Sequence, residues 1–142
     1  MTVTWLRIPP EAQVDVRSTW TLAVDPNQHL LGRSVILLNR PCERVVDLTA
    51  GEWMDLHTNL QRLQRALDAV LAPDKYDLGF LKNDSHQVYL QVVPRYLSTR
   101  TWRGERFDDP RWGEAFAATE RSLDADALEA LRDAIRSKLP AV

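Results

Sequence analysis

A single cysteine, Cys42, stands in the 142 residues of this chain. A lone thiol leaves no internal disulfide framework and no cysteine-rich metal site, and it fits a reducing compartment. Glycine is sparse, five in all, and neither the dinucleotide fingerprint nor the Walker pattern occurs, which counts against those two phosphate cradles. No window approaches the roughly eighteen uninterrupted apolar residues of a membrane span. Pro9, Pro10, Glu11, Asp15 and Arg17 interrupt any apolar segment that a secretory leader would need. The expectation is therefore a cytoplasmic protein with no membrane partner. An excess of one charge is also missing: eighteen Lys and Arg against twenty Asp and Glu give a net charge of -2, which names neither nucleic acid nor an anionic surface as a partner. The three histidines, His29, His57 and His86, show no spacing suited to a metal, and no cofactor is expected.

What is present is ordinary globular material, 44% apolar and 27% charged, long enough for one hydrophobic core and too short for two. Residues 1–142 are read as one domain. The region before Thr19 is expected to be a strand or an irregular arm. Thr19–Val24 reads as a strand stopped by the turn cluster Asp25-Pro26-Asn27, and Ser34–Leu38 reads as its neighbour, entered through Gly32-Arg33. Thr49 and Glu52 have capping-box spacing, and Trp53, Leu56, Leu60, Leu63, Leu67 and Val70 recur at steps of three and four. A long helix follows, ended by Pro73, with Asn59 and Arg62 placed away from its apolar stripe. Tyr76–Leu81 is the next strand. The segment from Thr101 to Trp112 has no usable period and is read as an ordered loop, and a last helix spans about 123–139 around Leu128, Leu131 and Ile135. Strand pairs around one helix, with a terminal helix, predict an α+β domain with an antiparallel sheet.

The stretch Asn83–Tyr96 carries the most information. Alternation puts Val88, Leu90 and Val92 on one face of a strand and Gln87, Tyr89 and Gln91 on the other. The polar row is open to two readings, a face turned to solvent or a binding surface built on a rigid element.

Three segments in order, Asp25 to Arg33, Arg40-Pro41-Cys42-Glu43-Arg44-Val45-Val46-Asp47-Leu48-Thr49, and Gln87-Val88-Tyr89-Leu90-Gln91-Val92-Val93-Pro94-Arg95-Tyr96, resemble the histidine triad superfamily. The resemblance covers about residues 19–112, and Phe107-Asp108-Asp109-Pro110-Arg111-Trp112-Gly113 resembles the tail of one branch. It implies a histidine-triad-like fold, a homodimer, no metal, and a purine nucleotide or other phosphate-containing small molecule as ligand. In that family the middle histidine of His-x-His-x-His attacks the phosphorus to form a nucleotidyl-histidine, which water then cleaves. Here the three positions are Gln87, Tyr89 and Gln91. An imidazole is an unprotonated nucleophile near neutral pH, whereas a phenol with an ordinary pKa of about 10 needs a strong activator and a glutamine amide moves no proton.

No catalytic residue is therefore assigned with the motif. Gln87, Tyr89, Gln91, Asn83, Asp25 and Arg95 are the candidate nucleotide-binding residues. By the resemblance, Asp25 would accept from ribose hydroxyls and Asn83 would contact phosphate. Both are also turn formers. Arg95 opens a run with Arg100, Arg103, Arg106 and Arg111 that reads either as solvated surface or as phosphate steering. Leu22, Val24 and Leu37 are the candidate walls of a base pocket. The expected function is nucleotide binding without the family's hydrolase or transferase chemistry; the alternative is a divergent hydrolase of phosphate esters or anhydrides that uses Tyr89.

Overall fold

Thr49 and Glu52 start the long helix as their spacing predicts. The computed structural model describes residues 8–81, 86–116 and 119–142. In it the amide of Glu52 donates to Thr49 Oγ1 at 3.1 Å and the amide of Thr49 donates to Glu52 Oε1 at 2.8 Å. The helix α1 runs Ala50–Leu71 and ends at Ala72, whose left-handed φ of 47° precedes Pro73. Arg40 clamps the start: its Nε and Nη2 donate to the two oxygens of Glu52 at 2.6 and 2.8 Å, and this pairing holds the Glu52 carboxyl down at about 2.

The strands are β1 Gln13–Val16, β2 Trp20–Val24, β3 Ser34–Leu38, β4 Lys75–Gly79 and β5 Tyr89–Arg95, in one antiparallel sheet of order β1-β2-β3-β5-β4. This is the α+β architecture the sequence predicts. Leu22, Val24, Ile36, Leu38, Val88, Leu90 and Val92 pack in one core with Leu56, Leu63 and Leu67 of α1 and with Leu128, Leu131 and Ile135 of a second helix, α2, Ala125–Ser137. Each such fully buried aliphatic side chain is worth roughly 1.5–3 kcal/mol.

Two expectations fail here. Asn59 and Arg62, assigned to the outer face of α1, are buried: Arg62 Nη1 donates to Asp15 Oδ2 and Asn59 Oδ1, both at 2.9 Å, and its Nε donates to Pro140 O at 2.7 Å. β1 and the C-terminal end bring those acceptors to the helix flank, and neither neighbour is visible in the helical period. The segment read as a loop contains a hairpin, β6 Arg100–Trp102 and β7 Glu105–Phe107. Arg103 and Gly104, with φ of 52° and 80°, make its two-residue turn, since positive φ at both central positions matches the twist of the strands.

Candidate functional site

Cross-strand partners share a face, so the register of the sheet sorts the motif residues. Leu22, Ile36 and Leu90 face one another over the core. One residue along, Ala23 pairs with Val35, Val35 with Gln91, and Gln91 with Gly79, while Thr21 pairs with Leu37 and Leu37 with Tyr89. This second set lies on the side away from the helices. The polar row of the sequence is on that face, but not in solvent: Tyr89 is 5% and Gln91 1% exposed. Tyr89 packs with Ala23, Val35 and Leu37, and Ile8 packs against the same cluster. The base-pocket assignment is thereby corrected. Leu22 and Val24 belong to the core under the helices, half a pleat out of phase, and the apolar residues beside Tyr89 are Ala23, Val35 and Leu37.

Gln87 precedes β5, bridges to Cys42, and directs its amide toward Leu38 O at 3.4 Å. Asn83 lies outside the described residues. Asp25 closes a turn, its Oδ1 accepting from the Asn27 amide at 2.9 Å, with Oδ2 3.7 Å from Arg33 Nη2. His86 pairs with Glu43 at 2.6 Å, and His57 is exposed on α1.

Arg95, a candidate ligand residue of the sequence, spends its guanidinium within the chain. Its guanidinium is 3% exposed and all five of its N–H groups are matched: Asp109 takes Nε at 2.7 Å and Nη2 at 3.0 Å, Asp77 and Glu114 O take Nη1 at 2.5 and 2.6 Å, and Arg111 O takes Nη2 at 2.8 Å. It fastens the segment after β7 to the sheet. Burial works to raise the Asp109 carboxyl, but the hydrogen bonds from Arg95 and the Tyr96 amide outweigh it and hold the group below its ordinary value.

Arg33 and His29, neither of them among the candidate binding residues of the sequence, meet beside Gln91. Gly32 places them: its φ is 86°, and a Cβ there would sit 2.6 Å from Leu71 Cδ1 and 3.2 Å from Pro94 Cγ, so only glycine lets the turn close against α1 and β5. Tyr96 secures the same turn by donating to Leu31 O at 2.6 Å. Arg33, 1% exposed, then donates from Nη2 to Gln91 Oε1 at 3.1 Å, and its Nη1 lies 3.4 Å from His29 Nδ1. Burial and the neighbouring Arg33 lower the His29 pKa, so the ring stays neutral near pH 7. The Gly-Arg pair was visible in the sequence, but only the fold brings residue 33 to residue 91. What the face can do is bind: it offers donors from Arg33 and Gln91, an acceptor from Asp25, and apolar walls.

No protein-family model matches the sequence, and no curated protein matches it. The fold does have solved counterparts. A histidine triad protein from Bradyrhizobium japonicum is similar with a TM-score of 0.69 at 20% identity, over 89% of each chain. A hypothetical histidine triad nucleotide-binding protein from Sulfolobus tokodaii gives 0.67 at 12%, over 89% of this chain and 82% of that one. The diadenosine triphosphate hydrolase of Plasmodium falciparum, solved with cyclomarin A, gives 0.69 at 11%, over 92% and 77%. The chain has the histidine triad fold.

Proposed function

We propose that this histidine-triad fold binds a nucleotide-like, phosphate-bearing small molecule and does not perform nucleotidyl-histidine chemistry. The observation that carries the reading is Tyr89: the position of the family's nucleophile is a phenol packed among Ala23, Val35 and Leu37. A phenol, with an ordinary pKa of about 10, needs a strong activator to act as a nucleophile near neutral pH. Binding is supported by the Arg33–Gln91 pair on the same face, and by two proteins of the same fold, one named as nucleotide-binding and the other a diadenosine triphosphate hydrolase. In this reading a base lies against Val35 and Leu37, entering where Ile8 now packs, and Asp25 Oδ2 accepts from the ribose.

Calorimetry with AMP, GMP and their 2′,3′-dideoxy forms tests it. One molecule of AMP or GMP binds per chain, and the dideoxy form binds about tenfold more weakly because a charged acceptor loses its donors. No heat with any nucleotide would sink the reading.

The proposal includes a homodimer. β4 is an edge strand, and Leu78 on it is 45% exposed, while Trp53 of α1, 43% exposed, stacks edge-on with Phe80 at 6.4 Å. An open strand edge with adjoining apolar side chains is a ready surface for a second copy. Sedimentation across a concentration series should give twice the chain mass, and Leu78→Asp should shift it to one chain mass. A wild-type monomer at every concentration removes the dimer from the account.

A further inference from the structure

His29 belongs to the turn between β2 and β3, and one of its ring nitrogens has a settled role. Nδ1 lies 3.4 Å from Arg33 Nη1, a nitrogen that only donates, so Nδ1 accepts and the ring proton is on Nε2. That donor is buried and has no acceptor among the described residues. Buried donors left unmatched are costly, and native proteins leave few of them.

The same imidazole is one wall of a cavity of about 260 Å³ beside the segment that follows β7, with Leu30, Pro110, Arg106, Arg111 and Arg121 around it. The three guanidiniums are short of acceptors. Their carboxylate neighbours, Asp108, Glu114 and Glu105, stand 3.7, 3.7 and 3.6 Å away, past hydrogen-bond reach, and each is more than half exposed to water. Arg106 reaches the Thr99 hydroxyl at 3.4 Å, Arg121 gives one nitrogen to Arg106 O, and the Arg111 guanidinium makes no hydrogen bond among the described residues. Both carboxylates of the wall are engaged. Asp109 accepts from Arg95 with its two oxygens, and Asp108 accepts from the Thr99 hydroxyl. What the cavity leaves unmet is therefore a set of donors, buried at His29 and partly exposed at the three arginines.

We propose that this cavity holds a tetrahedral oxyanion, inorganic phosphate or the phosphate of a short ester, which accepts from His29 Nε2 at the inner end and from Arg106, Arg111 and Arg121 at the mouth. The Phe116 ring, tilted against the imidazole at 6.0 Å, turns aside to admit it. Phosphate has oxygens enough to accept from four side chains together, whereas a carboxylate has two. At about 260 Å³ the cavity falls below the usual range for a drug-sized ligand, so an ester that fits is a short one. The site goes beyond the nucleotide reading. Its wall includes neither Arg33 nor Gln91, and the apolar face of Ala23, Val35, Leu37 and Tyr89 is not part of it.

The test titrates inorganic phosphate, glycerol 3-phosphate and acetate into the full-length protein while the ring signals of its three histidines are followed by NMR. The His29 signal is the one lost in His29→Phe. Either phosphate should move it and saturate at one per chain, the tighter of the two identifying free ion or ester, and acetate should bind about tenfold more weakly. His29→Phe keeps a ring beside Phe116 and removes the Nε2 proton, while Arg111→Gln removes a guanidinium that faces only Glu114, at 3.7 Å. By calorimetry each should weaken phosphate about tenfold. Wild-type affinity in either variant, acetate as tight as phosphate, or a His29 signal that stays still up to about 10 mM phosphate overturns the proposal. So does a shift that never saturates and is shared by His57, exposed on α1, since that is bulk screening. AMP and phosphate should bind together, and displacement of one by the other would overturn a separate site. AMP that binds while phosphate leaves His29 unmoved removes this site and keeps the nucleotide reading; phosphate that saturates while no nucleotide gives heat does the reverse.

Discussion

Asp109→Ala should lower the free energy of unfolding by about 3–5 kcal/mol, the cost of leaving a buried charge without its partner. The Arg95 and Asp109 side chains are only 3% and 1% exposed, and they meet through two parallel hydrogen bonds. Asp109 also accepts from the Tyr96 amide at 3.1 Å, so its removal strands a backbone donor as well. Asp77 retains one contact to Arg95, which keeps the loss below that of a wholly unpaired arginine. The chain from Arg111 to Glu114 is tied to the same guanidinium through two carbonyls, so the segment that carries Phe116 over Arg33 should loosen with it. Because the Asp109 carboxyl is held below its ordinary value, its contribution is present above that ordinary value and is lost as pH falls through the depressed one. Urea unfolding at pH 7 measures the change, with Glu129→Ala on the exposed face of α2 as a control within about 0.5 kcal/mol. A loss under about 1 kcal/mol for Asp109→Ala would mean the pair is not the fastening described.

Incubation with a dinucleoside polyphosphate or adenosine phosphoramidate should release nucleoside monophosphate no faster than the protein-free solution does. In the reaction that the resemblance implies, an imidazole nitrogen forms a bond to phosphorus as the leaving group departs, and water then cleaves that bond. Enzymes with a working nucleophile commonly exceed background by a factor of about a million or more, so the distinction is not a fine one. Tyr89, which the resemblance matches to the nucleophile's position, packs with Ala23, Val35 and Leu37, and Gln91, beside it on the strand, is engaged with Arg33 and titrates nowhere near neutral pH. The histidines that are described stand elsewhere. His86 is paired with Glu43, His57 is exposed on the helix, and His29 turns its unprotonated nitrogen to Arg33. The competing chemistry, a tyrosyl–phosphorus bond, would appear as a mass increase on the peptide that holds Tyr89. The account expects none.

Much of the scaffold was legible. Capping residues, a 3.6-residue stripe and period-2 alternation are local signals, and they marked α1, β2 and β3 to within a residue or two and the end of β5, whose start at Tyr89 lies six residues beyond the Asn83 at which the sequence stretch begins. The site was legible in part. Alternation correctly put Tyr89 and Gln91 on one face, yet the bases' expected neighbours Leu22 and Val24 came out on the other, because phase between strands is set by pairing and not by composition. Arg95 read as a surface or phosphate-facing charge since nothing near it in sequence reveals Asp77 and Asp109 as its partners. Arg33 was hidden for the same reason: its meaning depends on Gln91, fifty-eight residues away. The hairpin of β6 and β7 turns on an Arg-Gly pair, a weaker signal than Asn-Gly, within three-residue strands too short to show a period.

The most direct measurement of the central claim is a ³¹P NMR time course of adenosine phosphoramidate with the wild-type protein and with Tyr89→Phe. The account predicts that the ligand signal shifts or broadens on adding either protein, which reports binding, while no AMP signal grows above the protein-free rate. An AMP signal that grows with wild-type protein and disappears in Tyr89→Phe would contradict it.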